Sequence, residues 1–230
     1  LGLGLSALIT FMSFLFFNQL HRSFIITLHL VLFISFIKIS PVAIPEMIKK
    51  LLIIQPLKKK NIVFFFILLL CLLPTIYMNS LYPHGGWDAW AAWNFKAKTL
   101  FLGQEQWTNI FHPAVWRSNP NYPLFLPLLN VWGWIFSSEP TQTVPMIIAI
   151  LFSALNLTLL FYSLKNHLPL FLNALFVLAL SYSPIFYKFA SSQYADVVIG
   201  SYVFSCLYSL LQTKTHNNKI FPLLSGIFLS

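Results

Sequence analysis

Acid is what this chain has least of. Five of its 230 residues are aspartate or glutamate, against fourteen lysines and arginines, and charged residues together make up 8%. A soluble domain carries about 25%, so a water-soluble globular protein is excluded. Cysteine is nearly absent too. Cys71 and Cys206 both fall inside apolar runs, where they read as packing residues rather than a disulfide or a metal pair. No CxxC, no HExxH, no Walker loop and no GxGxxG occurs, so neither a metal-ligand spacing nor a nucleotide-binding signature is visible. The net charge of +9 does not point to nucleic acid. Five of the lysines, Lys49, Lys50, Lys58, Lys59 and Lys60, sit between two apolar runs, as the excess of positive charge in cytoplasmic loops predicts.

What is present is hydrophobicity, at 58% of residues. Runs of the ~17–25 residues that cross a bilayer are read at 1–17, 24–44, 62–78, 144–164, 168–187 and 197–211. The expected fold is all-α, a polytopic transmembrane helical bundle with juxtamembrane surface helices in its first long outer loop. Lys38 near the end of the second run can snorkel, and Pro74 is expected to kink the third. The chain begins at Leu1 and stops inside a further apolar run, Ile220 to Leu229, so it is expected to be a piece of a longer protein.

The segment 123–136 is apolar but only 14 residues long, and it decides the topology. Lying on the outer surface, it leaves 45–61, 165–167 and 214–219 in the cytoplasm, and 81–143 and 188–196 outside. This arrangement fits the lysine distribution better than a crossing does. Both aspartates of the chain, Asp88 and Asp196, then face the same side, 108 positions apart.

Asp88 belongs to the most concentrated stretch of polar and aromatic chemistry, Tyr82-Pro-His-Gly-Gly-Trp-Asp-Ala-Trp-Ala-Ala-Trp-Asn-Phe-Lys-Ala-Lys98. From Trp87 to Leu102 there is no Gly or Pro, which predicts a surface helix ended by Gly103. The plain reading of each aspartate is a helix N-cap. The plain reading of Trp87, Trp90 and Trp93 is an interfacial aromatic belt, and of Lys96 and Lys98 snorkelling to headgroups. The functional alternative has Lys96, Lys98 or Arg117 meeting a lipid-linked phosphate. His84 and His112 read as loop histidines. Asn156-Leu-Thr158 matches the glycosylation triplet but lies inside a span. As the only aspartates, on one side of a membrane protein, Asp88 and Asp196 favour a functional reading.

Three pieces in order resemble the GT-C glycosyltransferases, the polyprenyl-phosphate-sugar enzymes that include protein O-mannosyltransferases and lipid A aminoarabinose transferases. They are Gly85-Gly-Trp-Asp-Ala-Trp90 after a span, Asn119-Pro-Asn-Tyr-Pro-Leu124, and Ser183-Pro184 followed by Gln193-Tyr-Ala-Asp196. The resemblance covers roughly 61–211. Ala89 follows Asp88 where many relatives carry a second acid. On this resemblance, 61–230 is a C-terminally truncated GT-C-like module, and 1–60 adds two spans and a basic cytoplasmic loop. The resemblance implies a glycosyltransferase in a bacterial inner (plasma) membrane, with membrane lipids as its surroundings. Its donor would be a polyprenyl-phosphate-linked sugar, its acceptor a glycan, lipid or protein, and nucleic acid no partner. It implies Asp88 as general base. Asp196, Tyr194, Gln193, Lys96, Lys98, Trp87, Asn94, Tyr122 and Arg117 would be substrate-binding. No metal ligand is assigned; a divalent cation is the alternative to lysines between the two carboxylates. The rival readings are a transporter or channel subunit, which would want charges or broken helices at mid-membrane, and a non-catalytic membrane fragment.

Overall fold

The computed structural model describes residues 2–39, 59–216 and 220–229, and in these it is helical with no strand. Two helices, α1 (Gly2–Phe17) and α2 (Arg22–Ile39), precede α3 (Lys59–Leu81). A π-helical turn, Ala89–Trp93, runs directly into α4 (Asn94–Leu102). Two short 3-10 segments, Gln104–Phe111 and Pro113–Ser118, lead to α5 (Phe125–Ser137). Then come α6 (Thr143–Leu164), α7 (Leu170–Ser181), α8 (Pro184–Ser191), α9 (Ala195–His216) and α10 (Ile220–Leu229).

Three of these helices, over Ile62–Leu81, Thr143–Leu164 and Ala195–Thr213, are long and apolar enough to cross a membrane. The bent pair α7–α8 makes a fourth if it is one span. Their outward faces are greasy: Phe65, Phe66 and Leu69 of α3 are 56–60% exposed. Such side chains gain nothing from water and are at home in hydrocarbon.

The six expected spans are therefore three or four among the described residues. The run at 1–17 is a 16-residue helix, short for a crossing, and it is packed along α5. The run at 24–44 extends beyond the described residues, and the part seen, in α2, is not among the helices that qualify. The run at 168–187 is broken. Tyr182 caps α7, Ser183 turns to extended backbone, Pro184 restarts the chain at the first turn of α8, and the two helices meet at 58°. Proline has no N–H to continue the preceding ladder, and it is tolerated at a helix start. Tyr182 Oη donates to Leu70 O at 3.3 Å, which puts the break beside the middle of α3. Of the expected loop 188–196, the first four residues belong to α8 and the last two to α9. The basic loop at 45–58 and residues 217–219 lie outside the described residues.

The short segment 123–136 is a 13-residue helix, α5. One buried cluster joins it to α1, α4, α6 and α9 through Phe14, Trp93, Leu100, Leu129, Phe152 and Val197. A second cluster, Ile67, Cys71, Leu157, Phe161 and Val177, joins α3, α6 and α7. Polar seams bind the long helices. Asn156 of α6 donates to Val197 O (3.1 Å) and Ser201 Oγ (2.6 Å) of α9, and Asn173 donates to Phe161 O at 3.0 Å. In an apolar surround such bonds fix rotation and depth, because the alternative is an unpaired amide.

The hydrogen bonds also fix which helix ends meet. Gly86, just past α3, donates to Ser192 O ahead of α9 at 3.0 Å. Gln142, just before α6, donates to His84 Nε2 at 3.2 Å. The C-terminal end of α3 and the N-terminal ends of α6 and α9 thus share one end of the bundle. Lys165 follows the 22 residues of α6, about 33 Å away at 1.5 Å per residue, and so lies at the other end.

Candidate functional site

The site is built by two loops pressed together. Gly85 takes φ +72°, and a Cβ there would stand 2.6 Å from Ser192 O and 2.8 Å from Ala89 Cβ. At Gly86 a Cβ would stand 2.5 Å from the hydroxyl of Tyr194. Only the absence of side chains lets the 85–86 turn lie against 192–194. Gln193 on the opposing loop is itself left-handed, at φ 58°.

Side-chain amides lock this contact. Gln193 Nε2 donates to Pro83 O (3.0 Å) and to Asn79 Oδ1 (3.4 Å). Its Oε1 accepts from Asn94 Nδ2 at 3.1 Å, and Asn94 Oδ1 accepts from Asn130 Nδ2 at 2.9 Å. Asn79, Gln193 and Asn130 are all buried. A chain of amides in a dry place holds its members to one geometry, since each unmade bond leaves a costly orphan. Gln193 and Asn94, expected to touch substrate, are the ties between α3, α4, α5 and the 192–194 loop.

Residues 87–102 are helical throughout, with Gly103 as the cap, as their composition predicts. The π-turn at 89–93 is not visible in the sequence; such bulges are frequent at functional sites. Asp88 has helical φ/ψ and makes no side-chain capping bond, so it is not an N-cap. Asp196 sits in the first turn of α9 and is exposed. Neither carboxylate has a hydrogen-bond or ion-pair partner among the described residues.

Both carboxylates line one cavity of about 360 Å³, at the shared end of the bundle. Tyr122, Pro123 and Trp93 form part of its wall, and Leu126, Val198 and Ile199 part of its apolar floor. Tyr122 is held by stacking on Trp93, with ring centroids 5.0 Å apart. A volume of this size lies within the usual range for a small-molecule site.

The cations do not go where the sequence reading put them. Lys96 is fully buried, and its ammonium donates to the backbone carbonyls of Asn119 (2.6 Å), Tyr122 (3.2 Å) and Pro120 (3.4 Å). It neither snorkels nor reaches a phosphate. Its three donors are used to hold the 119–122 loop, and with it Tyr122, at the cavity. Burial pulls its pKa from the ordinary 10.5 to about 8, because desolvation disfavours the charged form. Lys98 lines a different cavity. Lys188 is exposed and lines no described cavity, and Arg117 is exposed with its guanidinium over Trp116. Trp87 is 61% exposed and packs edge-on to Trp90. Of the ten sequence-predicted site residues, Asp88, Asp196 and Tyr122 line the cavity. Tyr194, Gln193, Asn94 and Lys96 support it from behind.

The sequence reading missed Gly85 and Gly86 as the point of contact, and Asn79 and Asn130 as members of the amide chain. The signals were there: adjacent glycines opening a helix, and lone asparagines in apolar runs. Nor do the described residues offer a closed metal site, for no three His, Cys, Asp or Glu side chains cluster. Two carboxylates suit only a hard cation whose remaining ligands are water and phosphate.

Burial of Lys96 makes a direct prediction. At pH 8.5 an amine-acylating reagent should label Lys98 in the folded protein and leave Lys96 untouched. With its pKa pulled down to about 8, much of Lys96 is free amine at pH 8.5, so protection can only be steric. Labelling of Lys96 at the rate of Lys98 before denaturation would refute the buried clamp.

Comparisons with protein-family profiles, with curated proteins and with solved structures each return no match.

Proposed function

We propose that this chain forms the membrane-embedded part of a multi-pass glycosyltransferase, in a bacterial inner membrane, that moves a sugar from a polyprenyl-phosphate donor to an acceptor at the extracytoplasmic face. One observation carries the reading. The only two aspartates of the chain, 108 positions apart, line one cavity, and neither carboxylate is used by the fold among the described residues. Unspent carboxylates in a membrane protein are costly to keep near hydrocarbon and are retained for chemistry or binding.

In this reading Asp88 takes the proton of the acceptor hydroxyl as its oxygen attacks the anomeric carbon. The bond from that carbon to the phosphate oxygen breaks, and polyprenyl phosphate leaves with the bonding electron pair. Asp196 orients the sugar hydroxyls, Tyr122 walls the ring, and the apolar floor faces the lipid. A divalent cation, when bound, would be held by Asp88 and Asp196 and would supply charge for the phosphate. The donor is already activated, so the missing nucleotide signature is no obstacle.

The broken span α7–α8 favours a second reading, a transporter, because discontinuous helices often form substrate sites. Here the break holds Ser181, Tyr182 and Ser183 and no acidic residue, lysine, arginine or histidine, while the carboxylates sit at the bundle end. Membranes containing the chain, given radiolabelled polyprenyl-phosphate sugars, should pass label to an acceptor and release polyprenyl phosphate. Accumulation of intact substrate across the membrane, without cleavage of the sugar–phosphate bond, would decide for the transporter.

A further inference from the structure

The helical segment 87–102 has a second working face. Trp90, Asn94 and Lys98 are spaced four apart and so form one stripe. That stripe lines a second cavity of about 240 Å³, whose other walls include His84, Gln142 and Trp134. The two cavities differ sharply in charge. The first is lined by two carboxylates and no cation, the second by the Lys98 ammonium and no carboxylate. One helix therefore separates a cavity whose charged side chains are acidic, and which needs a bound cation to hold a phosphate, from one that carries its own ammonium.

The second cavity is built, not incidental. Gln142 can only donate through its amide nitrogen, so His84 Nε2 is the acceptor in their 3.2 Å bond, which ties the 82–86 turn to the start of α6. Trp134 Nε1 donates to Thr141 O at 2.8 Å, fixing the opposite wall. Asn94 lines this cavity and is at the same time bonded to Gln193 and Asn130. Lys98, unlike Lys96, has no hydrogen-bond or ion-pair partner among the described residues and is exposed. A free ammonium beside indole and phenyl surface and amide groups is the chemistry that recognises a phosphate attached to a ring. The ammonium takes the anion, the amides take hydroxyls, and the aromatic surface takes the ring's C–H face. The volume fits one ring with its phosphate, below the usual size of larger ligands.

We propose that this cavity is a second ligand site, binding a phosphate-bearing, sugar-sized group through Lys98 on the face of the helix away from Asp88. It does not rest on catalysis at Asp88, and its test reads binding without turnover. The protein in phosphatidylcholine nanodiscs is titrated with glucose 6-phosphate, glucose and inorganic phosphate, and binding is followed by saturation-transfer NMR. Glucose 6-phosphate should bind more tightly than either fragment. Lys98→Gln should weaken it about tenfold or more, the loss typical of a charge-assisted bond. Lys188→Gln, an exposed lysine outside the cavity, should leave it unchanged. Trp90→Ala should also weaken it, and the retention volume of each variant checks its fold. Repeating the titration in phosphatidylglycerol nanodiscs separates the sources of phosphate. Competition makes a lipid headgroup the occupant, and its absence makes it a sugar phosphate. No saturation transfer from glucose 6-phosphate, equal binding by Lys98→Gln, or equal loss in Lys188→Gln would overturn the site.

Discussion

Asp88→Asn is expected to lower sugar transfer by roughly 10²–10⁴-fold, the range for a lost general acid or base, while the amount of folded protein in the membrane stays unchanged. The second half of that expectation comes from the geometry. Asp88 caps nothing and pairs with nothing among the described residues, so replacing a carboxylate oxygen with an amide removes no contact of the fold. The amide keeps the size and cannot accept the acceptor's proton. Labelled-donor turnover alongside membrane protein yield is the measurement. Turnover within a few-fold of the unaltered chain would remove Asp88 from the chemistry, and a collapse in yield would make it structural.

The other large effect is expected at Gly85. Gly85→Ala places a Cβ on a left-handed residue, at about 1–2 kcal/mol, and 2.6 Å from the backbone oxygen of Ser192. A backbone atom cannot swing away as a side-chain tip can, so the 85–86 turn must lift from the 192–194 loop. The combined cost is on the order of 2–4 kcal/mol, a fall in thermal midpoint of about 5–10 °C for a chain of this length. Lifting the turn also parts Asp88 from Asp196, so transfer should drop more than tenfold even at temperatures where the variant is folded. A variant with both the midpoint and the turnover of the unaltered chain would show that the loop contact does not assemble the site.

Lys96 and Lys98 mark the boundary between what could be read and what could not. They are two residues apart in one helix, so they face different directions. Composition alone gives both the same reading, a lysine snorkelling to headgroups. Which one is buried depends on where the 119–122 loop passes, and that loop is 23 or more positions further along the chain. The same holds for 168–187. Pro184 could be seen, but whether it ends a span or bends one depends on the packing of Tyr182 against α3.

Sequence by itself determined the elements. Apolar run lengths, the gap in glycine and proline from 87 to 102, the stop at Gly103 and the scarcity of acid are local properties. They predicted the helices that the described residues show, several of them long and apolar enough to cross a membrane, and pointed to Asp88 and Asp196. Only the tertiary structure decided that these two carboxylates share a cavity, that Asn94 and Gln193 are ties in a buried amide chain, and that Lys96 is a clamp. Each of those facts brings together residues 23 to 114 positions apart. Such contacts are set by how whole helices dock, through glycines that allow close approach and amides that must be satisfied, and no local pattern carries that information.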